Sequence, residues 1–373
     1  MSNHRLIRVL LCSACLALLS PIAIFGQDRA GAEPPKVVVQ TDGTVEVPAQ
    51  AVPISSFLSP EARAYVTEHL KLMQDPEMTK PGNGVPPLLK PYVERDHALF
   101  SVNRKDQKLA GVHVYVYTPN DGIADRNKHR VLINLHGGGF SGCWPGCAEL
   151  ESIPVSALGK VEVISVDYRE GPEHKFPAAS EDVARVYQEL LKTYKPKDIG
   201  IYGCSAGGMQ TAMSMAWFQT HSLPAPGAIG ILCASAGGVF GGDSSYTVPP
   251  LGEARVPSPI PPSTTRLGYF SGTDPKDPLI APLNSPEILA KFPPTLIITG
   301  TRAFEFSAAV HTHTQLVKLG VDAELHVWEG LFHGFFYNVD VPESKEAFNV
   351  IIEFFNRHLG NSAESNEVSS RGH

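Results

Sequence analysis

The sequence predicts an α/β domain in which a mostly parallel sheet is sandwiched between helices, and three observations predict it. From about residue 131 onward, short apolar runs alternate with segments of helical composition. The runs are apolar at successive positions, as strands covered on both faces are. Two of them end directly in glycine motifs that start 67 residues apart, His136-Gly137-Gly138-Gly139-Phe140 and Gly203-Cys204-Ser205-Ala206-Gly207-Gly208. Right-handed crossovers bring the loops after such strands to one edge of the sheet.

Taken in order, residues 1–32 read as a signal peptide. His4, Arg5 and Arg8 precede an apolar run from Val9 to Phe25, and a polar stretch ends in Ala30-Gly31-Ala32, with cleavage after Gly26 as the other option. The run is short for a bilayer span and interrupted by Ser13, Ser20 and Pro21, which argues against stable membrane insertion; a retained anchor is the alternative. Cys15 lacks the leucine three places earlier that a lipoprotein signal carries. The expected location is secreted or periplasmic. Removing the leader takes Lys+Arg from 31 to 28 and Asp+Glu from 38 to 37, so the mature charge is 28 − 37 = −9, which speaks against nucleic acid as a partner.

Residues 33–95 are expected to form an N-terminal arm and helices. Positions 33 to 54 are proline-punctuated, Ser59-Pro60-Glu61 opens a helix through about Gln74, and Asp75 to Lys90 is loop. The domain proper spans 96–360. Strands are expected at His97 to Val102, Val112 to Thr118, Val131 to Leu135, Val161 to Val166, Ile199 to Tyr202, Ile229 to Ala234, Thr295 to Thr299 and Leu325 to Trp328. Helices are expected near Ser180 to Thr193 and Ala206 to Trp217. The proline-rich segment 237–282 interrupts this rhythm and reads as a cap or lid insertion, or as a passive surface loop. The tail 361–373 is polar and expected to be disordered. After the leader, Cys143, Cys147, Cys204 and Cys233 remain, without zinc spacing; Cys143 and Cys147 either bridge or stay free, and Cys204 reads as a packing residue.

Ser205 is the candidate nucleophile, because a serine between glycines at a strand-to-helix turn is pushed out of the sheet edge. The backbone N–H groups of Gly138, Gly139 and Ala206 are the candidate oxyanion hole, the last gaining the positive end of its helix. The general base should come from a late loop, and His333 in Glu329-Gly330-Leu331-Phe332-His333-Gly334-Phe335 follows the last expected strand. His311 and His313 fall on a helix, His174 in a loop and His326 inside a strand, all read as structural, and His136 is expected to fix the glycine loop by hydrogen bonds.

These motifs resemble the hormone-sensitive-lipase-like family of α/β-hydrolases. The resemblance spans residues 90 to 358 and rests on HGGGF at 136 to 140, the stretch Asp167-Tyr168-Arg169-Glu170-Gly171-Pro172-Glu173-His174-Lys175-Phe176-Pro177-Ala178-Ala179, the serine motif, and Pro293-Pro294-Thr295-Leu296. It implies an α/β-hydrolase fold with an eight-stranded, mostly parallel sheet, a cap from N-terminal helices and an insertion, and a carboxylic ester hydrolase acting on small or short-chain esters without metal or cofactor. Cys204 stands where an aspartate is usual, and Glu170-Gly171 where Leu-Ala is usual. The third departure matters more: the loop that resembles Gly-x-x-Asp reads Gly300-Thr301-Arg302-Ala303, so Ala303 occupies the position of the acid that orients the histidine. Glu305 is the nearest replacement, and either a rearranged loop brings it to the histidine or it is solvated. Glu329 is a weaker alternative, and an engineered change at 303 is another explanation. Loss of the acid costs about 10⁴ in turnover in serine proteases. Two other readings stay open: a weak or inactive binding protein that keeps the pocket, and a hydrolase of lactones, amides or polyesters.

Overall fold

The computed structural model describes residues 36–80, 84–238, 240–258 and 267–360; the expected leader and tail lie outside them. The chain divides after Val52. In the first unit, β1 (Val38–Val39) pairs antiparallel with β2 (Val45–Glu46) in a small exposed hairpin within the expected arm.

In the second unit, α1 (Pro60–Leu72) starts as expected, with the Ser59 hydroxyl accepting from the Ala62 N–H and Pro60 in the first turn. α2 (Lys90–Leu99) corrects the expected strand at His97 to Val102. Pro91 in its first turn favours helix, buried Val93 and Asp96 fall three apart on one face, and Phe100 is the extended residue that ends it. The strand starts only at Val102.

The sheet has eight strands: β3 (Val102–Leu109), β4 (Val112–Pro119), β5 (Val131–Leu135), β6 (Glu162–Val166), β7 (Ile199–Cys204), β8 (Ala228–Leu232), β9 (Thr295–Gly300) and β10 (Ala323–Trp328), in the order β10-β9-β8-β7-β5-β6-β4-β3. β3 with β4 and β4 with β6 are antiparallel, and the remaining pairs are parallel. Side chains of one strand alternate between two buried layers. Val131, Ile133 and Leu135 join the first cluster while Leu132 joins the second; Ile199 and Ile201 part in the same way from Tyr202 and Cys204, and Ile297 from Leu296 and Ile298. The largely apolar runs follow from this, since neither face meets water; Asn134 is the buried polar member of β5. Fully burying one such side chain contributes about 1.5–3 kcal/mol.

Helices α3 (Gly146–Gly159), α4 (Ala178–Leu190), α5 (Ala206–Thr220), α9 (Phe306–Lys318) and α10 (Pro342–His358) cover the sheet, with one-turn α6 (Ser244–Thr247), α7 (Pro249–Gly252) and α8 (Pro286–Leu289) between α5 and α9. His311 and His313 lie on α9, and His326 on β10, as expected. Among the described residues, no helix is long and apolar enough to cross a membrane.

Candidate active site

The parallel register aligns the strand ends, Leu135 with Gly203, Cys204 with Leu232, and Trp328 with Gly300. The loops that follow therefore converge on one edge. After β7 the chain turns into α5 through Ser205, held at φ 58° and ψ −121°. For a residue with a Cβ this backbone costs on the order of 1–3 kcal/mol. The flanking glycines are obligatory: a Cβ at Gly203 would stand 2.1 Å from the Leu135 carbonyl oxygen, and one at Gly207 only 1.7 Å from it.

After β5, the N–H groups of Gly138 and Gly139, like that of Ala206, meet no protein acceptor among the described residues. Gly138 (φ 123°) admits no side chain, since its Cβ would lie 1.9 Å from the Gly142 carbonyl oxygen. His136 supports this loop as expected. Its Nδ1–H donates to the Gly137 carbonyl at 2.7 Å, its ring stacks on Tyr168, and the Tyr168 hydroxyl donates to the His136 carbonyl at 2.6 Å. Burial lowers its imidazole to about 4, so it stays neutral.

His333 sits in the loop after β10, its ring stacked against Phe304 with centroids 4.5 Å apart. Its Nδ1 lies 2.9 Å from Oε2 of Glu305, and the Thr299 hydroxyl donates to Glu305 Oε1 at 3.1 Å. Burial alone would lower this imidazole, but the charge and hydrogen bond of the Glu305 carboxylate prevail and raise it to about 9. Glu305 is fully buried, which corrects the solvated reading. Judged as extended chain, two residues displace a carboxylate by about 6 Å. Here the chain instead coils: Ala303 N–H bonds the Gly300 carbonyl, Phe306 N–H bonds the Ala303 carbonyl, and Glu305 caps the start of α9. A helical turn advances only about 1.5 Å per residue, so Glu305 stays near the end of β9. Ala303 is also fully buried. Glu329 does not approach His333; it accepts from the Thr301 hydroxyl at 2.8 Å at the surface.

Ser205, His333, Gly138 and Gly139 line one cavity of about 330 Å³. Its remaining walls are largely apolar, with Tyr65 and Met73 at α1, Leu88, Leu89 and Tyr92 at α2, and Phe332. Gly252 and Glu253 reach it from the 237–282 segment, whose Tyr269 and Phe270 are buried. Cys143 and Cys147 also line the cavity and form a disulfide, Cα to Cα 5.4 Å, which resolves the open pairing. Cys204 and Cys233 are free and buried. Cys233 Sγ accepts the Gly334 N–H at 3.3 Å and, with Glu305 and His333, offers metal-ligand atoms within 4.8 Å of one another, two of which already bond each other.

Sequence reasoning missed three participants. His69 on α1 donates from Nε2 to the Gly252 carbonyl at 3.0 Å, stacks flat on Phe332 at 3.5 Å, and is lowered to about 4 by burial. Tyr337 lines the cavity, and Glu151, from α3, lies beneath the loops. No local pattern separates Glu151 from Glu149, two residues earlier on the same helix.

A family model described as alpha/beta hydrolase fold matches residues 132–337, over half of the chain. An acetyl-hydrolase of Streptomyces hygroscopicus is 27% identical over 239 residues, covering 63% of this chain and 78% of that one. An esterase of Acinetobacter venetianus is 26% identical over 279 residues, covering 73% and 89%. Among solved structures, esterase E25 superposes with a TM-score of 0.73 at 29% identity, over 84% of this chain and 98% of that one. An esterase from the bacterial hormone-sensitive lipase family shares the fold at TM-score 0.68 and 24% identity, over 81% and 99%. The matched span, the shared sheet and the ordered motifs agree: the chain belongs to the α/β-hydrolase fold family and is a hydrolase.

Proposed function

We propose that the chain hydrolyses small or short-chain carboxylic esters through an acyl-enzyme on Ser205, with Glu305 in the role usually held by aspartate. The observation that carries this reading is the 2.9 Å contact of His333 Nδ1 with the buried Glu305, in the cavity that Ser205 also lines. In this scheme His333 takes the Ser205 proton as the hydroxyl oxygen attacks the ester carbonyl. The oxyanion accepts hydrogen bonds from the Gly138, Gly139 and Ala206 amides, whose N–H groups have no other protein partner among the described residues. His333 then gives the proton to the leaving alkoxide, and water releases the acid by the same steps. Glu305 fixes the tautomer and stabilises the imidazolium.

The residues in these roles need no metal or cofactor. A non-catalytic binding protein was suggested by a vacant acid position, and a buried carboxylate on His333 removes that motive. The names of the esterase and acetyl-hydrolase relatives favour simple esters over lactones, amides or polyesters. We read the protein as secreted or periplasmic, from its leader-like N-terminus and the disulfide, which suits an oxidising compartment. The test is hydrolysis of p-nitrophenyl acetate and butyrate by the parent and by Ser205→Ala, with fluorophosphonate labelling of the serine. Activity that survives Ser205→Ala, or labelling elsewhere, would sink the proposal.

A further inference from the structure

Glu151 on α3 is 1% exposed, and its carboxylate accepts four hydrogen bonds, all from neutral donors. Oε1 takes the Gly137 N–H at 2.9 Å and the Tyr337 hydroxyl at 2.9 Å; Oε2 takes Asn134 Nδ2 at 2.8 Å and the Cys204 N–H at 3.1 Å. A carboxylate has about four lone-pair sites, so this one is saturated. The donors are not a random sample of the core. Gly137 is bonded directly to Gly138, Cys204 directly to Ser205, and Tyr337 follows His333 by four residues in its loop. The backbone carbonyl of Glu151 accepts the Tyr202 hydroxyl at 2.8 Å, which fixes the helix carrying it against β7.

We propose that Glu151 is a positioning residue for ester hydrolysis, a buried hub that holds the glycine loop, the serine turn and the histidine loop in fixed register. It acts through the amides and side chains it anchors, and the proposal rests on the serine-esterase reading above. Four donors converging on one group require an acceptor at every lone pair. A glutamine would turn an NH₂ toward donors and leave buried polar groups facing each other. Burial pushes the Glu151 carboxyl up to about 7, opposed by its four donors, so removing any donor also weakens the anion that the others need. The fit is close as well: a Cβ at Gly137 would stand 3.2 Å from the Cys204 carbonyl oxygen and 3.4 Å from Glu151 Oε1.

The experiment compares parent, Glu151→Gln and Tyr337→Phe for kcat and KM on p-nitrophenyl butyrate, per serine titrated by fluorophosphonate, and for affinity toward a trifluoromethyl ketone that mimics the tetrahedral intermediate. A displacement of the oxyanion donors of about 1 Å costs on the order of 10²-fold. We expect Glu151→Gln to lower kcat by about 10- to 100-fold, to weaken the ketone by the same factor, and to leave KM within about threefold. A residue that merely stabilised the core would lower the melting temperature while kcat per titrated serine and ketone affinity stayed at parent values; that result overturns the proposal. If Glu151→Gln does not fold, Tyr337→Phe decides: kcat and ketone affinity falling together by about 3- to 10-fold support it, and parent values overturn it. Ser205→Ala separates the two layers. Hydrolysis surviving Ser205→Ala removes the esterase reading itself, whereas silence there with Glu151→Gln at the parent rate removes only the hub.

Discussion

Replacing Glu305 by glutamine keeps the shape of a fully buried side chain and removes the charge that faces His333. In the parent, burial pulls the imidazole down and the carboxylate 2.9 Å away overcomes it, raising His333 to about 9. Without the carboxylate, burial is opposed only by the remaining raising contributions of Cys233 and Glu253, so His333 should titrate well below about 9. The interval from 6.5 to about 9 corresponds to about 3 kcal/mol of imidazolium stabilisation. That energy is available whenever His333 holds the serine proton, so its loss alone costs about 10²-fold in turnover. Loss of the fixed tautomer carries the expected deficit to about 10³–10⁴. The assay is kcat/KM for p-nitrophenyl butyrate from about pH 5.5 to 10. Parent activity should rise toward about 9 as His333 loses its proton, and the Glu305→Gln profile should be low and displaced to lower pH. The linked stability has the opposite trend. A histidine whose folded pKa is raised contributes stability that is complete below 6.5 and fades as pH climbs through about 9, so the parent's melting temperature should fall across that window while Glu305→Gln stays flat. Turnover within about threefold of the parent, or an acid limb that does not move down, would refute the assignment.

Three further outcomes follow. Ser205→Gly should abolish turnover yet raise unfolding stability by about 1 kcal/mol, because φ 58° and ψ −121° suit a residue without a Cβ; a lower melting temperature would contradict strain at the turn. Gly138→Ala places a Cβ 1.9 Å from the Gly142 carbonyl oxygen and should cost about 10²-fold or more in kcat by moving an oxyanion donor, and parent-like kinetics would exclude that donor. Ala303→Asp, which restores the family spelling, should lower the melting temperature without raising kcat, because it buries a second carboxylate where Glu305 already serves His333; a gain in turnover would show that Glu305 is a poor substitute.

The doubly covered sheet was legible because burial on both faces writes itself as apolar residues at successive positions, as at Val131 to Ile133 and Leu296 to Ile298. The serine turn was legible for a steric reason: Gly203 and Gly207 leave no room for a Cβ, and that exclusion is visible in the letters. Helix α2 was misread at its end because His97 to Val102 has strand-like composition, while the helix that claims its first three residues is set by Pro91 upstream. The position of Glu305 was left undecided because a distance along the chain becomes a distance in space only once the local conformation is known. Glu151 and His69 were illegible for a related reason. Each acts across more than 50 residues, on Cys204 and on Gly252, and no local pattern records a partner that distant.

The carboxylate at His333 rises from the residue immediately before a helix rather than from the middle of a loop. On the proposed reading, this chain reaches the point beside the imidazole nitrogen two residues later than the Gly-x-x-Asp spelling would place its acid. A search that scores this family by the letter at one alignment column would file the protein among dead enzymes. A search that asks which buried oxygen touches the histidine would not.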